Sequence, residues 1–158
     1  MSTEIKHDIF EVAITHQAAT YAVDDLLGGK ITITDADDQK HRSGSIKYIT
    51  LIDLSSEGVD KVTNIKVTLF DSDPDSTTFT ENAALDIDDA DLPKVIAVVL
   101  LDDHYKWTDN GITQKLGLDI PFRLRDSNNL YACMRVKNAT SGYNSTAELT
   151  LRIGIEED

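Results

Sequence analysis

Residues 148–155 read Glu148-Leu149-Thr150-Leu151-Arg152-Ile153-Gly154-Ile155, with a branched aliphatic at every second position. Successive side chains of an extended chain point to opposite faces, so Leu149, Leu151, Ile153 and Ile155 share one face and Glu148, Thr150 and Arg152 the other. Wound as a helix, the same four aliphatics would scatter around the circumference. The stretch is therefore a strand buried on one side.

The same rhythm recurs upstream. Leu130, Ala132, Met134 and Val136 alternate with Tyr131, Arg135 and Lys137, and Ile65, Val67 and Leu69 alternate with Lys66 and Thr68. Further strands are expected over Ile9–Thr15, Lys30–Thr34, Ser45–Leu54 and Val95–Leu101, with a weaker one over Leu118–Leu124. Val95–Leu101 is apolar at every position, which predicts a central strand covered on both faces. Gly28-Gly29, Ser43-Gly44 and Asn110-Gly111 read as turns, the last as a hairpin turn because both residues tolerate positive φ. Helix is scarce: one short turn is expected near residues 80–85, capped by the Thr80 hydroxyl. The fold class is all-β, an antiparallel β-sandwich with jelly-roll-like topology.

The chain has 158 residues, 41% of them hydrophobic, which fits one domain spanning 1–158 with residues 1–8 as a flexible N-terminal arm. Its formal net charge is −13, so nucleic-acid phosphates and anionic membrane surfaces repel it, and neither is an expected partner. No signal-peptide pattern and no apolar run of bilayer length occurs, which predicts a soluble protein made in a cytoplasm. Cys133 is the single cysteine, so no intrachain disulfide forms, and its surroundings predict a small half-buried thiol. Asn138-Ala-Thr140 and Asn144-Ser-Thr146 match the glycosylation pattern, which has no meaning in a protein that is not secreted.

One segment stands apart. Residues 71–93 hold seven aspartates and one glutamate between two apolar runs. Asp71, Asp73 and Asp75 have the alternate spacing of an oxygen-ligand loop and are the metal candidates. The calcium-loop pattern then fails, with Ser76 where glycine is required and Asn82 where an acid must close the site. Asp86, Asp88, Asp89 and Asp91 add carboxylates without a ligand pattern, and a solvated acidic loop is the expected structure. Acid catalysis needs two buried carboxylates with separated pKa values, which exposed loop aspartates do not provide. His7, His16, His41 and His104 have no ligand spacing. No nucleophile elbow, phosphate-binding loop or dinucleotide fingerprint is found, so the chain is read as non-enzymatic, with no cofactor. Tyr105 and Trp107 are either core aromatics or a contact patch.

Several stretches carry a resemblance. Ala19-Thr-Tyr-Ala-Val-Asp-Asp-Leu-Leu-Gly-Gly-Lys30 is followed by Ser45-Ile46 opening a long strand. Thr68-Leu-Phe70 then leads through Pro74 to Ser76-Thr-Thr-Phe-Thr-Glu-Asn-Ala-Ala-Leu85 and Asp89-Ala-Asp-Leu92. With the closing Ala147–Ile155, these resemble a family of tailed-bacteriophage virion structural proteins over most of the chain. The resemblance implies a capsid decoration or cement protein, homotrimeric, bound to the outer surface of the major capsid protein lattice after synthesis in the host bacterial cytoplasm. It also implies Phe79 and Leu85 as anchors into the core or a neighbour. The alternatives are a tail, baseplate or head-tail accessory protein, and a carbohydrate- or receptor-binding module using Tyr105 and Trp107.

Overall fold

The computed structural model describes residues 5–36, 42–55, 64–138 and 142–158. His41 and Thr140 lie outside them. Among the described residues ten strands form, in chain order β1 (Lys6–Ile14), β2 (Leu26–Ile33), β3 (Ser43–Asp53), β4 (Ile65–Phe70), β5 (Val95–Leu101), β6 (Asp103–Lys106), β7 (Gly111–Lys115), β8 (Ile120–Arg123), β9 (Leu130–Val136) and β10 (Leu149–Glu157).

All pairings are antiparallel and make two sheets. One runs β1-β10-β3-β7-β6 with β8 also on β3, and the other runs β2-β9-β4-β5. The first strand pairs with the last and the second with the ninth, so the chain winds inward from both ends in a jelly-roll order. The sandwich read from the alternation is the observed fold. Leu149, Leu151, Ile153 and Ile155 line the space between the sheets with Leu130, Ala132, Met134, Val136, Ile65, Val67 and Leu69, all nearly inaccessible to solvent.

Several local readings change. Residues 80–85 contain no helical turn: Ala84 bridges Asp25, and Asn82 takes φ 57°, which ends the helical path. Among the described residues the helical turn is a 3₁₀ turn at Leu92–Lys94, where Pro93 supplies a helix-compatible φ and lacks the N–H that a first turn would leave unpaired. β5 is an edge strand and not a central one, with Val98 55% exposed. On its outer face Val95 packs against the second cluster described below, while Val98 stays open. Gly28-Gly29 lies inside β2 at a register shift, Ser43-Gly44 opens β3, and β6 with β7 form a hairpin the alternation did not reveal. Its loop is Trp107–Asn110, closed by the Trp107 N–H donating to the Asn110 carbonyl at 2.9 Å, and neither Asn110 nor Gly111 has positive φ. Of the arm expected over residues 1–8, Lys6, His7 and Asp8 are strand residues opposite Glu157, Glu156 and Ile155.

The β2 irregularity depends on glycine. Gly28 has φ +91°, and a methyl group on its Cα would overlap Ile14 Cγ2 in the core, whereas Gly29, at φ +65°, faces open space. Gly28→Ala combines backbone strain with overpacking and is expected to destabilise the fold by about 2–3 kcal/mol, against about 1 kcal/mol for Gly29→Ala. Urea unfolding of the two variants checks this. Equal losses would mean that the close approach to Ile14 does not matter.

Candidate functional site

The four-stranded sheet is apolar on both faces. Its outward residues Leu26, Phe70, Tyr131 and Cys133 form a second buried cluster with Val95 of β5 packed beside it, and the segment 71–93 covers it through Phe79, Leu85 and Ile87. Leaving those four residues bare would expose a contiguous apolar patch, so the acidic segment folds back as a lid over them. It is not the solvated loop expected from its composition. Cys133, expected to be half-buried, is fully buried beneath it, and burial pushes its thiol up to about 12.

The segment is fixed by cations from three elements. Arg125 Nε meets Asp71 Oδ1 at 2.9 Å, Lys30 Nζ meets Asp73 Oδ1 at 2.6 Å, and Lys94 Nζ meets Asp75 Oδ1 at 2.7 Å. The three metal candidates are thus drawn apart, each to its own cation. Among the described residues no group of three or more His, Cys, Asp or Glu side chains is placed to hold a metal ion. At the far side of the lid, Glu81 accepts from the Tyr21 hydroxyl and, at 2.6 Å, from the Gly28 N–H.

Asp91 is the pin. Its side chain is fully buried, which a carboxylate tolerates only with partners for its lone pairs. Oδ2 accepts from the Ser76 N–H at 3.1 Å, the Thr77 N–H at 2.6 Å and the Thr77 hydroxyl at 2.6 Å, while Oδ1 meets Lys94 Nζ at 2.8 Å. The Thr77 hydroxyl in turn accepts from the Asp88 N–H at 3.1 Å. Lys94 also donates to the Asp73 carbonyl at 2.7 Å. Two ends of the segment are thereby joined through one carboxylate. Burial pushes the Asp91 pKa up, but the Lys94 ammonium and the Thr77 donors outweigh it and hold the carboxyl below the usual carboxylate range. The signal for Asp91 in the sequence is Asp91-Leu-Pro-Lys94, an acid before a proline-containing first turn. That pattern predicts a cap, whereas the carboxylate here reaches across to Thr77 and makes no cap hydrogen bond.

Beside the lid lies an open groove of about 680 Å³, bordered by apolar Leu85, Ile87, Leu92 and Val98 and by charged Asp86, Asp89 and Arg135. Phe79 and Leu85, expected as anchors, are half-buried against the second cluster. Tyr105 and Trp107 are 50% and 57% exposed on β6 and the following loop, so they are surface aromatics and not core. The histidines stay dispersed. His16 is buried, with Nε2 accepting from the Glu148 N–H at 3.2 Å, while His104 Nε2 bonds Asn64 Oδ1 and its ring is pushed down in pKa by burial. Among the described residues no helix is long and apolar enough to cross a membrane. Compared with known proteins, the chain matches no protein-family model and no curated protein sequence.

Asp91→Ala strands two backbone donors and leaves Lys94 without its buried partner. It is expected to cost about 3 kcal/mol, read by urea unfolding, with m unchanged. The pH dependence follows from the same pin. A folded pKa lying below the unfolded one contributes stability that is complete above about pH 4 and is lost as pH falls through the folded value. The wild type should therefore lose stability more steeply than Asp91→Asn below about pH 4, since only the wild type has that carboxyl to protonate. Parallel profiles would show that Asp91 is not held ionised.

Proposed function

We propose that this chain is a bacteriophage virion structural protein that decorates or cements the capsid, binding the outer surface of the major capsid protein lattice and stabilising the head. The observation that carries the reading is the stapled acidic lid. Four of its seven aspartates, Asp71, Asp73, Asp75 and Asp91, are held by Lys30, Lys94 and Arg125, while Asp86, Asp88 and Asp89 stay exposed. A protein that coats a particle at high copy number has to remain soluble, avoid the packaged genome and resist deformation, and a rigid anionic jelly roll meets all three demands. The sequence resemblance points the same way. Repeated modest contacts on a lattice then supply avidity.

Tyr105 and Trp107 are the best docking anchors, since exposed aromatics carry large contact area at low entropic cost. Purified protein added to shells lacking it is expected to appear as density at regular lattice positions, and absence of ordered density would refute the assignment. Trp107→Ala is expected to weaken shell binding by about tenfold or more while leaving the melting temperature unchanged. The same exposed pair favours a second reading, a carbohydrate-binding module of the virion. Glycan binding lost on Trp107→Ala, without lattice binding, would select it.

A further inference from the structure

An unpaired strand edge is a template for a further strand, and charged side chains within the strand are the usual guard. β1 carries Lys6, Asp8 and Glu11, β6 carries Asp103 and Lys106, β8 carries Arg123 and β2 carries Lys30. β5, Val-Ile-Ala-Val-Val-Leu-Leu, carries none. It ends the four-stranded sheet, and past a bulge at Ile96 it stays in regular register with β4 over residues 97–101. Among the described residues no backbone group outside the sheet bonds residues 96–100, so the free edge is open. What borders that edge decides what fits it. On the outer face Val98 and Leu92, 55% and 53% exposed, share the groove with Asp86 and Asp89. Both aspartates are exposed, and among the described residues neither meets a cation, because Lys30, Lys94 and Arg125 are taken by Asp73, Asp75, Asp91 and Asp71. Arg135, also in the groove, has its charge offset by Asp24 at 3.8 Å.

We infer that β5 is the docking edge for an extended segment of another protein in which apolar residues alternate with lysine or arginine, added to the small sheet as a further strand. Main-chain hydrogen bonds along an open edge supply affinity, and alternate side chains supply specificity. On the inner face the segment's apolar side chains continue the row of Val99 and Leu101, which are buried between the sheets. On the outer face the aliphatic stems of its basic residues lie over Val98 and Leu92 and carry their charges to Asp86 and Asp89. Charge selects this occupant. Two unpaired carboxylates beside the edge, on a chain of net charge −13, attract a basic strand and repel an acidic one, a second copy of this chain included. The acids of the lid thereby guard an edge that has no charge of its own. The surface uses neither Tyr105 nor Trp107 and does not depend on the protein's place in a virion.

The test uses the full chain and, as probe, a capped peptide of alternating lysine and valine, with its glutamate-valine counterpart as control. Calorimetric titration should show the lysine peptide binding and the glutamate peptide not. Amide exchange of residues 97–100 should slow when the lysine peptide is added, because a new strand pairs with that edge. Asp86→Asn with Asp89→Asn should raise the dissociation constant about tenfold. Asp35→Asn with Asp109→Asn removes the same charge at exposed sites outside the groove and should change it by less than about twofold. Four results would each overturn the proposal: no binding of the lysine peptide, equal binding of the glutamate peptide, equal effects of the two double variants, or slowed exchange elsewhere and not at residues 97–100.

Discussion

A sheet with apolar side chains on both faces must be covered on both, and this constraint shapes the molecule. The six-stranded sheet closes the inner face of β2-β9-β4-β5. Nothing in the strand order covers the outer face, so the long connection between β4 and β5 does. That connection is also the most acidic part of the chain, and apolar cover and carboxylate repulsion have to be reconciled within it. Asp91 reconciles them by burying one charge, saturating it with Thr77, Ser76 and Lys94, and tying both arms of the segment together.

The remaining ion pairs have a different weight. Lys30 with Asp73 and Arg125 with Asp71 are partly solvated, so each contributes little energy on its own. Their effect is geometric: they assign each aspartate a cation and separate Asp71, Asp73 and Asp75, which would otherwise crowd. The outer surface is thereby acidic, with Asp71, Asp73 and Asp75 each held by a cation. That combination suits a protein whose proposed work is adhesion to a repeating surface rather than turnover of a substrate.

Much of this was legible from side-chain period. Strands β4, β9 and β10 and their inward residues follow from alternation, because one buried face imposes a two-residue repeat. β5 was misplaced at the sheet centre because apolarity on both faces does not distinguish a second strand neighbour from a covering loop. Tyr131 was assigned away from the inter-sheet core correctly, but its burial and that of Cys133 depend on residues some fifty positions away, which no local pattern encodes. β6 and β7 escaped notice because Asp-His-Tyr-Lys and Gly-Ile-Thr-Gln-Lys are short and largely polar. The lid was least legible: in sequence Asp91 resembles its six fellow aspartates, and only the fold distinguishes a buried carboxylate from a solvated one.

Amide hydrogen exchange at Ser76 and Thr77 tests the central claim most directly, because these two N–H groups are bound by Asp91 and belong to no strand. The account predicts that both are protected nearly as well as flanking strand amides, and that Asp91→Asn lowers their protection while sparing β9 and β10. Exchange of both at the rate of an unstructured peptide would contradict it, leaving residues 71–93 a loose acidic loop over an uncovered apolar face.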